Sequence, residues 1–244
     1  TKVRGPAGSL VNITFKRGEE LITFEIARER IDIPNIESEV LDGTNVAYVR
    51  LNQFTSDARG LLDRALTDVR VNERDGLIFD LRGNYGGLLS SAVEVGSAFI
   101  EEGPFVIEDF GDTRAETVLR ANGSFSNITV PIVLLVDETS ASASELVAGA
   151  LQDLDKATLI GEPTLGKGTV QVWRALSNGG GVRVTIARWL TPNRNWIHGE
   201  GITPDIIVTW TPEDAATDPT ADPQLAAAIR YLQGAIAEVA NQVE

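Results

Sequence analysis

Three serines at alternate positions, Ser140, Ser142 and Ser144, precede an apolar run with helical spacing. Twenty-five residues after the middle serine stands Lys167, held between Gly166 and Gly168. A serine hydroxyl is a useful nucleophile only with a base beside it. A lysine serves as that base when neutral, which takes a fall of about 3 pKa units, roughly 4 kcal/mol of desolvation. Burial in an apolar pocket supplies such a shift. The start of a helix adds free N–H groups and the positive end of the helix dipole, both of which stabilise an oxyanion. With Ser142 as nucleophile, the N–H of Ala143 lies next to it as a donor. This is the chemistry of a Ser–Lys hydrolase. Each residue also has a plainer reading. Ser142-Ala143-Ser144-Glu145 fits a capping box, worth about 1 kcal/mol, and a lysine between glycines reads as a solvated turn. The capping and catalytic roles are compatible.

Other chemistries have less behind them. The single histidine, His198, sits on a loop before Gly199-Glu200-Gly201 and is an alternative base for a triad. The chain has no cysteine, so it has no disulfide, no thiolate zinc site and no cysteine nucleophile. Asp153, Asp155 and the scattered acidic residues lack a calcium-loop pattern. No metal and no other cofactor is expected. A formal net charge of −14 over 244 residues speaks against a nucleic-acid partner, because phosphate contacts need a basic face. The chain begins at Thr1 without a methionine, which leaves an upstream segment open.

The elements that position these residues read as an alternation. Leu10–Phe15 and Leu21–Ile26 form two strands around a charged turn. Residues 28–45 read as polar and irregular, with Pro34 inside. Val46–Leu51 is a strand, Asp57–Asn72 an amphipathic helix, and Gly76–Leu81 a buried strand. The turn Arg82-Gly83-Asn84-Tyr85-Gly86-Gly87 follows directly and precedes a helix over Leu88–Ile100. Backbone N–H groups at such a junction bind anions, and glycine lets a ligand approach the main chain. Pro104–Phe110 and Glu116–Leu119 read as strands. Ile132–Val136 is a buried strand leading to the serine helix, and Thr158–Ile160 is a short one. Thr169–Leu176 and Gly181–Trp189 form a hairpin, and Ile206–Trp210 is a last strand. After the polar stretch Thr211–Asp222, a helix runs over Pro223–Val239. The alternation through residues 46–160 indicates an α/β core.

Five segments, in order, resemble the C-terminal processing peptidases, also called tail-specific proteases. They are Asp80–Gly87, Ser140–Glu145, Gly161–Gln171, Arg183–Ala187 with Thr191-Pro192, and Gly201–Asp205. The resemblance spans roughly residues 1–235. It implies a serine endopeptidase with a Ser–Lys dyad and an acyl-enzyme intermediate, cutting protein substrates near their C-termini. Ser142 matches the family's nucleophile, Lys167 its general base, and Gln171 the residue that orients the lysine. The oxyanion hole would use the N–H of Ala143 and a glycine of the turn, Gly87 in preference to Gly86. Tyr85 stands where the family often has another glycine and would crowd that hole. The implied fold is an α/β core of the crotonase and Clp-protease type, β-rich and spiralling. Residues 1–27 resemble only the last strands of a PDZ domain, and residues 28–244 the protease core. The resemblance further implies peptide partners bearing a C-terminal tail and an extracytoplasmic location, in the bacterial periplasm or cell envelope or in the thylakoid lumen. A homo-oligomer is left open. The alternative on the same architecture is a non-catalytic binder of apolar ligands, as in interphotoreceptor retinoid-binding modules. A histidine-dependent relative of the tricorn type would use His198 instead.

Overall fold

The computed structural model describes residues 3–30, 33–211, 217–218 and 221–242. The chain divides into two compact units, Thr1–Pro34 and Asn35–Glu244. The sequence pattern put the change at residue 27.

The first unit holds a hairpin of β1 (Leu10–Arg17) and β2 (Glu20–Ala27), paired from Leu10↔Ala27 to Arg17↔Glu20. Gly18 takes φ +61° in its two-residue turn, a conformation that glycine adopts without a Cβ penalty. Phe15 and Phe24 meet edge-on across the pair at 5.9 Å.

The second unit is built on a six-stranded sheet in the order β12-β9-β8-β5-β4-β3. Its strands are β3 (Ile36–Val40), β4 (Val46–Leu51), β5 (Gly76–Asp80), β8 (Ile132–Val136), β9 (Thr158–Gly161) and β12 (Ile206–Ile207). Only the β3–β4 pair is antiparallel. Parallel strands covered on both faces read as continuous apolar runs, and Ile132-Val133-Leu134-Leu135-Val136 is one. Leu134 and Val136 pack toward α1 (Ala58–Asp68), α2 (Leu89–Gly96) and α3 (Ala143–Asp153). Val133 and Leu135 pack on the other face, against Ala228 and Leu232 of α4 (Pro223–Gln242). A second sheet, all antiparallel, has the order β10-β11-β6-β7. It comprises β6 (Pro104–Asp109), β7 (Thr117–Arg120), β10 (Thr169–Ala175) and β11 (Gly181–Leu190).

Because β4, β5, β8 and β9 run parallel, the loops that follow them leave the sheet on the same side. Open parallel sheets bind their ligands outside the carboxyl ends of the strands. Those four loops are residues 52–57, 81–88, 137–142 and 162–168. A buried ionic network fastens one of them. Arg82 reaches Asp80 at 2.7 Å and Asp222 at 2.9 Å, and it donates to Gln224 Oε1 at 3.1 Å. The Tyr48 hydroxyl donates to Asp80 at 2.7 Å. Burial, with the Asp80 carboxylate beside it, pushes the Tyr48 phenol above its usual range and keeps it a donor. The network joins the end of β5 to the start of α4.

Several expected elements shift. Residues 36–40, read as irregular, form the edge strand β3. Its central Glu-Ser-Glu is exposed, so it shows no apolar alternation, and Pro34 just before it suggested a break. The strand expected over Ile206–Trp210 pairs only at Ile206 and Ile207, at the sheet's other edge. The helix expected over Asp57–Asn72 ends at Asp68, and Arg70 at φ +50° turns the chain into a short 3-10 segment. The helix expected over Leu88–Ile100 stops at Gly96. Most of the polar stretch Thr211–Asp222 lies outside the described residues, as does the side chain of Ile236.

Candidate active site

The three serines are sorted by what holds them. Ser140 is fully buried, and its hydroxyl donates to Leu81 O at 2.8 Å. Ser144 is equally buried, and its hydroxyl donates to Asn84 O at 2.8 Å. Both pin the serine segment to the glycine turn after β5. Asp137 does the same from the other side. Its carboxylate accepts the N–H of Gly83 at 3.0 Å, of Thr139 at 3.0 Å and of Ser140 at 2.9 Å. Ser142 alone of the three faces a cavity, and its backbone is strained at φ +57° and ψ −112°. A non-glycine residue in such a region costs about 1–3 kcal/mol. A sharp, strained strand-to-helix turn is the device that lifts a serine hydroxyl clear of the main chain in other hydrolases.

Glu145 holds that strain. Its carboxylate is fully buried and accepts four hydrogen bonds. Oε2 takes the N–H of Ser142 at 2.7 Å and of Lys167 at 2.9 Å. Oε1 takes the N–H of Gly166 at 2.5 Å and the hydroxyl of Thr164 at 2.8 Å. One side chain thus bridges the backbone of the serine to that of the lysine. The sequence showed the first of these bonds, through the spacing of a capping box. The others join segments some twenty residues apart, and no local pattern reports them.

The glycines around Lys167 have a packing reason. A Cβ on Gly166 would come within 3.0 Å of the backbone nitrogens of Gly199, Glu200 and Gly201, and one on Gly168 within 2.5 Å of His198 N. His198 belongs to this support. Its Nδ1 lies 3.2 Å from Gly166 O, and the residue lines neither of the cavities that meet at Ser142.

Those two cavities, of about 490 Å³ and about 420 Å³, share Gly87, Ser142 and Lys167. The larger adds Ala143, Leu146, Val170, Gln171 and Trp189 to its walls, and the smaller adds Asn52, Gln53, Tyr85 and Gly86. The structure therefore brings Ser142, Lys167, Gln171, Gly87 and Ala143 to one place. Lys167 is exposed, and no hydrogen bond joins its Nζ to Ser142 Oγ among the described residues. Gln171 Nε2 points to Thr185 Oγ1 at 3.4 Å. A bulge between Val170 and Gln171 sets this alignment, because Ile186 is passed over in the pairing with β11.

The two turn glycines differ in their N–H groups. That of Gly86 donates to Asn84 Oδ1 at 2.8 Å. That of Gly87 has no protein acceptor among the described residues, and neither has that of Ala143. Phe54 fixes Gly87 through Phe54 N to Gly86 O at 3.1 Å and Leu88 N to Phe54 O at 2.8 Å. Tyr85 is exposed at 72% and forms part of the smaller cavity's wall. Gly86 itself takes φ +97°, and a Cβ there would lie 2.6 Å from Ala141 O and 2.9 Å from both Ala143 N and Ser142 Cβ. Gly86→Ala should therefore cost at least about 3 kcal/mol and, by displacing Ser142, about 100-fold in kcat. Gly103→Ala is the control, with φ +121° but open space around it. It should lower Tm only, and equal losses of activity in the two variants would contradict the packing argument.

Known proteins match the chain on both sequence and shape. A curated relative from Synechocystis sp., a carboxyl-terminal-processing protease, is 37% identical over 243 residues, covering 97% of this chain and 56% of the relative. A probable CtpA-like serine protease of Staphylococcus epidermidis is 36% identical over 208 residues, covering 85% of this chain and 42% of the relative. The chain thus spans about half the length of such relatives. The solved photosystem II D1 C-terminal processing protease superposes with a TM-score of 0.68 at 31% identity, covering 84% of this chain and 56% of that one. The model of peptidase family S41 matches residues 45–208, the stretch that carries the glycine turn, the serine helix and the lysine loop. By that match and those relatives, the chain belongs to peptidase family S41.

Proposed function

We infer that this chain is the catalytic core of a serine endopeptidase that cuts protein substrates near their C-termini through Ser142 and Lys167. The observation that carries the reading is the meeting of two cavities at Ser142, Lys167 and Gly87, in a chain of an S41 peptidase family. An extended peptide laid across both cavities brings its scissile carbonyl over Ser142. It also covers Lys167 and shields its amine from bulk water. Lys167 Nζ then takes the Ser142 hydroxyl proton as Oγ attacks the carbonyl carbon. The N–H groups of Gly87 and Ala143 hold the tetrahedral oxyanion. With Nε2 turned to Thr185, Gln171 keeps its Oε1 as an acceptor for the lysine. As the intermediate collapses, Lys167 returns the proton to the leaving amine and an acyl-serine remains. Water, deprotonated by Lys167, releases the second product.

The finer parts of the reading accompany it. The hairpin of residues 10–27 is the last part of a PDZ domain, and the core is of the crotonase and Clp-protease type. The protein works outside the cytoplasm. No helix among the described residues is long and apolar enough to cross a membrane. A ligand-holding role without catalysis explains neither the strained Ser142 nor the two free N–H groups beside it. The test is cleavage of an unfolded protein substrate such as casein, read on gels and by mass spectrometry. Ser142→Ala should remove it, and undiminished cleavage would exclude Ser142 as the nucleophile.

A further inference from the structure

The hairpin of β10 and β11 that walls the larger cavity is basic in an acidic protein. Between residues 169 and 190 it carries Arg174, Arg183 and Arg188 and no acidic residue, although the chain has 35 acidic residues against 21 lysines and arginines. The three arginines differ in their surroundings. Arg188 is paired with Asp109 and lies over the Trp196 ring. Arg174 stands opposite Val182 in the register. Arg183 stands opposite Trp173, next to the Gln171–Thr185 pair on the same face of the hairpin. Gln171, Val172, Trp173 and Arg183 all line the cavity that Ser142 and Lys167 enter. The Trp173 ring lies over Gly181, where an added Cβ would overlap it, and its outer part is exposed. Arg183 has no hydrogen-bond or ion-pair partner among the described residues.

We propose that Arg183 anchors the substrate by taking a carboxylate of the peptide a few residues from the scissile bond. This rests on the peptidase reading above. From the Gln171–Thr185 pair to the Trp173–Arg183 pair is two strand residues, about 7 Å, which an extended peptide spans with two residues. A guanidinium fork binds a carboxylate bidentately, and the Trp173 ring lines the same cavity beside it. The carboxylate comes either from the peptide's own C-terminus or from a nearby Asp or Glu side chain. The same fork serves both.

The experiment uses a quenched fluorescent peptide that the protein cleaves, made in matched forms. One pair ends in a free acid or an amide, and another places Glu or Gln two to four residues from the cut on either side. With the wild-type protein, neutralising the anchored carboxylate should raise KM about tenfold with little change in kcat. Arg183→Gln should cleave acidic and neutral forms alike, at the neutral form's KM, and Arg183→Lys should keep part of the difference. Discrimination in the acid–amide pair identifies the terminal carboxylate, and discrimination in the Glu–Gln pair the side chain. If the wild-type shows no discrimination, or Arg183→Gln keeps it in full, the anchor is wrong while the peptidase stands. If no peptide is cut, or Ser142→Ala still cuts, the peptidase reading falls and the anchor with it.

Discussion

Lys167→Ala should lower kcat about 10⁴-fold or more while leaving Tm within about 2 °C of the wild-type value. The two halves of this expectation have separate causes. Among the described residues the amine is the base placed with Ser142 in both cavities, and catalytic groups that act as a unit lose nearly everything when one is removed. The same side chain is exposed and has no partner among the described residues, so its truncation strands nothing. The loop is held by bonds from Thr164, Gly166 N and Lys167 N to Glu145, all of which alanine keeps. Lys167→Arg should be as inactive, because a guanidinium does not give up its proton near neutral pH. Paired measurements of initial rate and thermal melting check this. Residual activity within tenfold of wild type would mean that another group takes the proton.

Glu145→Gln should damage both stability and catalysis. The carboxylate accepts three backbone N–H groups and one hydroxyl in a fully buried position. A glutamine must turn its NH₂ toward at least one pair of those donors. Buried donors left without an acceptor cost about 1–3 kcal/mol each, so the variant should lose about 3 kcal/mol, or roughly 6–12 °C in Tm. The displaced bonds include those to the backbone of Ser142 and Lys167, so kcat should also fall about 100-fold at temperatures where the variant is still folded. Melting curves and rates at low temperature separate the two effects. A folded variant with wild-type kcat would show that the bridge between serine and lysine is dispensable.

How much of this was legible depends on where each signal lives. The buried parallel strands announce themselves, because Ile132–Val136 is apolar without interruption. The edge strand Ile36–Val40 does not, since its register with β4 comes from pairing and its own side chains are mostly exposed. Ser142 and Glu145 are visible as a spacing of three. The tie from Glu145 to Gly166 and Lys167 exists only once β8 and β9 lie side by side. The sequence favoured Gly87 over Gly86 by resemblance. A physical difference between them appears only in three dimensions, where the Asn84 side chain uses the Gly86 N–H and leaves that of Gly87 free. In the sequence Arg183 is only the first residue of the Arg183–Ala187 segment, and its place on the cavity depends on the bulge at Val170/Gln171.

The central claim is that Lys167 makes Ser142 nucleophilic. The most direct measurement is the rate of covalent labelling by a fluorophosphonate probe, mapped by mass spectrometry of the digested protein. The wild-type should carry one label, at Ser142. Ser142→Ala should carry none, and Lys167→Ala should react at least about 100-fold more slowly while still folded. A label at another residue, or an unchanged labelling rate in Lys167→Ala, would contradict the dyad.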